Sequence, residues 1–130
     1  MNIAFFGLGQ MGSGMVTRLL ADGQHQIKIW NRTHEKTIPF VEQGATVAAD
    51  PVEAVCDADL IITSLLDDQS IEALFNDQSD VIRAMRLGAI HLCVTTISPK
   101  CSDRLQALHE KHGSQYISGP VLGRPDASAN

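Results

Sequence analysis

The chain has few of the features that mark secreted, membrane-bound or nucleic-acid-binding proteins. Its 130 residues include only three cysteines, an odd number at wide spacing, which suits neither a disulfide framework nor a zinc site. The net charge is −5 and there is no basic run, so nucleic acid and anionic membranes are poor partners. Neither a long apolar run nor the basic flank of a signal peptide is present. We therefore expect one cytoplasmic domain with reduced thiols and no metal.

The most informative stretch is residues 1–18, MNIAFFGLGQMGSGMVTR. An uninterrupted apolar run at 3–6 predicts a strand buried on both faces of a parallel sheet, and apolar residues at helical spacing from position 15 predict a helix. Between them, Gly7, Gly9 and Gly12 have the spacing G-x-G-x-x-G. We expect these three to permit a tight turn, the approach of a pyrophosphate, and close helix packing, respectively. A glycine-rich turn without a ligand is the alternative.

The end of the second predicted strand, Gln26–Trp30, indicates which dinucleotide the chain prefers. Enzymes that bind the ribose 2′-hydroxyl of NAD place an acidic residue there. Here the residues are Asn31, Arg32 and Thr33, with Lys36 one turn later. A guanidinium can hold a 2′-phosphate through paired hydrogen bonds, so the sequence favours NADP over NAD, with Thr33 as a hydroxyl donor and helix cap. An exposed arginine in an ordinary turn is the alternative.

The rest of the chain alternates short strands and helices with short connections. This order predicts an α/β, doubly wound Rossmann fold with helices on both faces of a parallel sheet of about six strands, in the order 3-2-1-4-5-6. Pro39 interrupts the second helix, at about 34–43, and predicts either a kink there or a helix that starts near Thr37. The later strands are expected at residues 45–48, 59–65, 89–94 and 115–118.

Polar residues follow the fourth and fifth predicted strands, at the crevice of such a sheet. Asp67 and Asp68 are expected to be solvated and to cap the next helix, since neighbours in sequence rarely face each other. Thr95 and Thr96 can either bond cofactor or substrate, or satisfy local backbone groups. His91 falls within a strand, where a hydrogen-bonded core histidine is expected rather than a general acid.

Four ordered segments, GLGQMGSGM, NRT, TTISP and GPVLGRPDA, together resemble the β-hydroxyacid dehydrogenase family over the whole chain. That family includes 3-hydroxyisobutyrate dehydrogenase and, more distantly, 6-phosphogluconate dehydrogenase and imine reductases. The resemblance implies hydride transfer between NADP and a small 3-hydroxyacid or its semialdehyde. Residues implied to bind the cofactor are Gly7, Leu8, Gly9, Gln10, Met11, Gly12, Asn31, Arg32, Thr33, Lys36, Leu65, Leu66, Ser70 and Thr96. The implied substrate residues are Leu122, Gly123 and Arg124, with Thr95 as a further substrate contact.

The chain departs from that family's pattern in two places. The substrate loop often reads serine-glycine-glycine, whereas this chain has leucine-glycine-arginine at 122–124, so the substrate need not be a standard hydroxyacid. Thr95 stands where serine is common, a change that keeps the hydroxyl.

The resemblance also implies that the general-acid lysine, its supporting asparagine and most of a homo-oligomer interface lie on a helical C-terminal domain downstream of residue 130. On that basis residues 1–130 are the cofactor-binding domain, inactive alone, and the exposed last strand should promote association. An imine reductase is one alternative, although TTISP and GRPDA argue against it. A non-catalytic dinucleotide-binding module is another.

Overall fold

The computed structural model describes residues 1–119, which form one six-stranded parallel sheet with helices on both faces. The strand order is β3-β2-β1-β4-β5-β6, and all five neighbouring pairs are parallel. The doubly wound topology and strand order predicted from the sequence are therefore confirmed. The strands are β1 (Asn2–Phe6), β2 (Gln26–Trp30), β3 (Thr46–Val47), β4 (Leu60–Thr63), β5 (Ile90–Cys93) and β6 (Gln115–Ser118).

Six α-helices within residues 1–119 cover the two faces of the sheet unequally. One face packs against α1 and α2 and the other against the remaining four helices, so each face has its own apolar cluster. The central strand β1 lies between both clusters, which explains its uninterrupted apolar run. The helices are α1 (Gln10–Asp22), α2 (Ile38–Val41), α3 (Pro51–Val55), α4 (Asp68–Leu74), α5 (Asp80–Ala84) and α6 (Pro99–His112).

The segment around Pro39 follows the second of the two predicted possibilities. A single 3₁₀ turn spans His34–Thr37, and α2 begins directly after it with Pro39 in its first turn. Proline is tolerated there because the first N–H groups of a helix have no intrahelical partner. No helix in residues 1–119 is long and apolar enough to cross a membrane.

The strand register brings the functional loops together. Phe6 pairs with Trp30 on one side and with Thr63 on the other, and Thr63 pairs with Cys93. The loops that begin at 7, 31, 64 and 94 therefore leave the same edge of the sheet from one row of residues. Strand order reverses between β1 and β4, where an open α/β sheet forms a ligand crevice.

Candidate functional site

The turn from β1 into α1 has no room for side chains at two of its glycines. Gly7 has a φ of 98°, and a Cβ there would collide with the backbone carbonyl of Ser64 at the end of β4. A Cβ at Gly12 would collide with the carbonyl oxygen of Gly7 and lie 3.3 Å from the ring of Phe5. Both residues must be glycine for α1 to start this close to the sheet.

Gly9 differs from those two glycines because its surroundings are open. A Cβ there would meet no protein atom within 4 Å, and its φ of −69° suits any residue. Gly9 is the N-cap of α1 and supplies no side-chain cap, whereas Asp50, Asp67, Ser79 and Ser98 cap α3 to α6. The N-terminus of α1 thus faces open space without a capping oxygen, and an anionic group fits there.

Asn31 links the glycine turn to the end of β2. Its side-chain oxygen accepts a hydrogen bond from the backbone N–H of Leu8 at 2.8 Å, and its amide nitrogen donates to the carbonyl of Thr33 at 2.9 Å. Because Asn31 accepts from it, the Leu8 N–H already has a partner. The Leu8 side chain is buried in the core beside α1 and contributes packing. Asn31 therefore fixes the relative positions of two segments predicted to hold one ligand.

The cationic side chains at the end of β2 are exposed. Arg32 and Lys36 are both exposed on the turn that Asn31 holds, next to the open N-terminus of α1. Thr33 occupies the N-cap position of the 3₁₀ turn, but its side chain makes no capping hydrogen bond, so that part of its predicted role is wrong. The Thr33 hydroxyl is exposed and makes no capping hydrogen bond, so it can bond a ligand instead.

The loop after β5 uses one of its two threonines internally. The Thr95 hydroxyl, which is buried, accepts from the backbone N–H of Leu65 at 2.7 Å and donates to the carbonyl of Thr63 at 3.4 Å. Thr95 therefore satisfies backbone groups, as one of its two predicted possibilities had it, but these groups belong to β4 and the loop after it and are not local in sequence. Thr96 is exposed, as is the Leu66 side chain at 86%.

Asp67 and Asp68 do not both cap α4. Asp67 is the N-cap and accepts from the backbone N–H and hydroxyl of Ser70, at 2.9 and 2.8 Å. Asp68 accepts instead from the backbone N–H and hydroxyl of Ser98, at 2.9 and 2.6 Å, and these bonds hold the pKa of its carboxyl below the usual value. The prediction that both residues cap the helix is therefore wrong for Asp68, because a partner distant in sequence takes its carboxylate.

Three possible metal ligands, Asp68, Glu72 and Cys101, lie within 4.8 Å of one another, but they are engaged with other groups. Glu72 receives two hydrogen bonds from Arg104, at 2.6 and 2.8 Å. Burial raises the pKa of the Cys101 thiol to about 12, so the thiol is protonated at neutral pH. The cluster is therefore part of a hydrogen-bonded contact between α4 and α6.

His91 is fully buried and hydrogen-bonded, as the sequence predicted. The Nδ1 of His109 lies 2.7 Å from the carbonyl of Leu105, which can only accept, so Nδ1 carries the proton. His91 Nδ1 then donates to His109 Nε2 at 3.1 Å, and the hydroxyl of Thr63 donates to His91 Nε2 at 2.8 Å. Burial holds the pKa of both imidazoles below the usual value, which suits this neutral chain.

The structure thus brings most of the predicted cofactor residues to one edge of the sheet. The glycine turn, the Asn31–Lys36 segment, Leu65, Leu66, Ser70 and Thr96 all lie at or just beyond the carboxyl ends of β1, β2, β4 and β5. Leu122, Gly123 and Arg124 lie outside the described residues. The sequence did not predict the side-chain contacts of Asn31, Thr95 and Asp68 that hold these loops.

Residues 2–130 match the family described as the NAD binding domain of 6-phosphogluconate dehydrogenase. The chain is 37% identical over 129 residues to the uncharacterized oxidoreductase YfjR of Bacillus subtilis, and 36% identical over 127 residues to 3-sulfolactaldehyde reductase of Escherichia coli. These alignments cover 99% and 98% of the chain but only 45% and 42% of the relatives. The chain therefore spans less than half the length of those relatives.

Solved structures show the same fold. A Mycobacterium tuberculosis 3-hydroxyisobutyrate dehydrogenase with L-serine superimposes with a TM-score of 0.89 at 29% identity, covering 98% of this chain and 43% of that one. An imine reductase from Myxococcus stipitatus in complex with NADP+ gives 0.88 at 28% identity, covering 97% and 43%.

Proposed function

Because the chain belongs to the family of the NAD binding domain of 6-phosphogluconate dehydrogenase, we propose that it is the cofactor-binding domain of an NADP-dependent oxidoreductase. The reaction is hydride transfer involving a small 3-hydroxyacid or its semialdehyde. The names of the relatives support this class, since they include 3-sulfolactaldehyde reductase and 3-hydroxyisobutyrate dehydrogenase. The observation that carries the cofactor choice is the exposed Arg32, with Lys36 nearby, where NAD enzymes place an acidic residue.

We assign the adenosine half of NADP to the glycine turn and to the residues after β2. The uncapped start of α1 at Gly9 and the neighbouring N–H groups of Gln10 and Met11 would hold the pyrophosphate. Arg32, Thr33 and Lys36 would hold the 2′-phosphate through charge-assisted hydrogen bonds. Bound NADPH would supply a hydride at its nicotinamide ring.

The nicotinamide half would lie across the loops after β4 and β5. The residues available there are Leu65, Leu66, Ser70 and Thr96. The exposed side chain of Leu66 offers apolar surface to the nicotinamide ring. Leu122, Gly123 and Arg124 would contact the substrate carboxylate. A second domain would supply the proton donor and complete a homo-oligomer, so we expect residues 1–130 to bind the cofactor with negligible turnover.

Cofactor titration tests this proposal. We expect the chain to bind NADPH at least tenfold more tightly than NADH, because only NADPH offers the 2′-phosphate to Arg32. Arg32→Ala should weaken NADPH binding at least tenfold and leave NADH binding unchanged. Arg83→Ala is the matched control, since this exposed arginine pairs with Asp80 on α5. Equal affinity for the two cofactors, or an unaffected Arg32→Ala variant, would refute the assignment.

An imine reductase is the second candidate function. The observation that favours it is the close superposition on an imine reductase holding NADP+. Assays of the protein with 3-hydroxyisobutyrate and NADP+, and separately with a cyclic imine and NADPH, would distinguish the two reactions. Both assays use the full-length protein. If it binds the cofactor but turns over neither substrate, a non-catalytic dinucleotide-binding module is favoured.

A further inference from the structure

The loops that follow β4 and β5 are fastened to each other by two reciprocal contacts. Thr95, on the loop after β5, accepts a hydrogen bond from the backbone N–H of Leu65 at 2.7 Å. Asp68, at the end of the loop after β4, accepts from the backbone N–H and hydroxyl of Ser98 at 2.9 and 2.6 Å. Each loop thus supplies one side chain that anchors the other.

The anchored residues bracket two exposed ones. Leu66 lies between Leu65 and Asp68 and is 86% exposed. Thr96 lies between Thr95 and Ser98 and is also exposed. The segment on each loop is short and tied at both ends, so the positions of both exposed residues depend on the same two contacts.

We infer that Asp68 is a positioning residue that fixes the loops for the nicotinamide half of the cofactor without touching the cofactor itself. This inference rests on the proposed function, because it assigns Leu66 and Thr96 to that half of the ligand. Asp68 acts through Ser98, whose hydroxyl also caps α6 by accepting from the N–H of Cys101 at 3.2 Å. One carboxylate therefore sets both the start of α6 and the end of the loop before it.

The contacts at Asp68 are of the stronger kind. A carboxylate that accepts from a hydroxyl and an N–H forms charge-assisted hydrogen bonds, which are shorter and stronger than neutral ones. The pKa of Asp68 is lowered chiefly by the Ser98 hydroxyl, so the group is ionised at neutral pH and keeps both bonds.

The docking of α4 on α6 does not depend on Asp68 alone. Arg104 donates two hydrogen bonds to Glu72, and Lys111 of α6 lies 3.2 Å from Asp77 in the turn that follows α4. Apolar residues of both helices belong to one buried cluster. Loss of the Asp68 carboxylate should therefore loosen the loops while the helices stay packed.

Binding measurements with a short and a long ligand distinguish a positioning role of Asp68 from a general structural role. Adenosine 2′,5′-bisphosphate reaches only the glycine turn and the Arg32 segment, whereas NADPH also reaches the paired loops. In calorimetric titrations, Asp68→Ala should weaken NADPH roughly fivefold and leave the bisphosphate within about twofold of wild type. Asp68→Asn keeps an oxygen for the Ser98 N–H and should give an intermediate loss for NADPH only.

Asp77→Ala is the matched control, because it removes the contact between the turn after α4 and Lys111 of α6 and leaves the two loops intact. It should bind both ligands as wild type does. Equal weakening of both ligands in Asp68→Ala, or no weakening of NADPH, would overturn the positioning role; Asp68→Asn carries the same test if Asp68→Ala does not fold. A wild-type protein that binds neither ligand would overturn the proposed function and this inference with it.

Discussion

At the residue scale, the three glycines of the first turn have different physical reasons to be glycine. Gly7 and Gly12 lie where a Cβ would collide with backbone carbonyls, so their role is in the fold. Gly9 meets no protein atom at its Cβ position, so the protein alone does not require glycine there. Its small size leaves room for a ligand at the start of α1.

This difference predicts opposite phenotypes for two matched substitutions. Gly9→Ala should leave the free energy of unfolding within about 0.5 kcal/mol of wild type and weaken NADPH binding, because the methyl group enters the space for the pyrophosphate. Gly12→Ala should lower the free energy of unfolding by more than about 2 kcal/mol, because the methyl group collides with the Gly7 carbonyl. Urea unfolding and cofactor titration of both variants measure this. A destabilised Gly9→Ala, or a Gly12→Ala as stable as wild type, would contradict it.

The buried histidines predict how stability depends on pH. In the unfolded chain each titrates near 6.5, whereas burial holds both pKa values lower in the folded protein, so the unfolded chain binds more protons as pH falls below 6.5. Stability should be nearly constant between pH 7 and 8 and at least about 1 kcal/mol lower at pH 5. Urea unfolding at pH 7.5, 6.5 and 5 measures it.

Nitrogen NMR of the imidazole rings assigns this pH dependence of stability to individual histidines. His91 and His109 should both show a neutral ring protonated at Nδ1 at pH 7, as their hydrogen bonds require. A flat stability profile between pH 7.5 and 5, or a His91 ring that protonates near 6.5 in the folded protein, would contradict the account.

At the scale of secondary-structure elements, Pro39 shows how local rules decide between two folds of one segment. A proline in a helix interior lowers the free energy of unfolding by about 3 kcal/mol, so replacing it there would stabilise the protein. In the structure the residue stands in the first turn of α2, where its missing N–H has no intrahelical partner to lose.

Pro39→Ala should therefore not stabilise the protein. We expect the free energy of unfolding to stay equal or to fall by up to about 1 kcal/mol, because alanine makes the unfolded chain more flexible. Urea unfolding compared with wild type measures the change. A gain near 3 kcal/mol would show instead that Pro39 strains the interior of a longer helix.

The elements themselves could be predicted from the sequence, but the contacts between their ends could not. Periodicity, glycines and helix caps are local signals, so the strands, Asp67 as a cap and the glycine turn were predicted within a few residues of their observed positions. Asp68 and Ser98 are 30 positions apart, as are Leu65 and Thr95, and no local pattern specifies such a pair. Asp68 looked like a helix cap because its neighbour Asp67 is one.

At the scale of the whole molecule, the two faces of the sheet are covered unequally. Among residues 1–119, four helices pack on one face of the sheet and only α1 and α2 pack on the other. Leu92 is partly buried on that second face, and Ile117 on the edge strand β6 is 48% exposed. Because parallel sheets are ordinarily buried on both faces, we propose that this surface promotes association.

Light scattering at increasing protein concentration tests this expectation. We expect mass to rise with concentration, and Ile117→Lys to shift the protein towards monomer. Val41→Lys is the matched control, since Val41 is 50% exposed on α2, away from β6. A monomer at every concentration, or the same response from both variants, would contradict an apolar interface at this edge.

We propose that NADP binds across the four loops at the carboxyl edge of the sheet, and amide NMR during titration with NADPH would map these contacts residue by residue. We predict that the largest shifts fall on residues 8–12, 31–36, 65–70 and 95–98. The groove between α4 and α6, lined by Phe75, Arg104 and Leu108 among others, should be unaffected. Saturation with no shifts in the glycine turn, or shifts centred on that groove, would contradict the account.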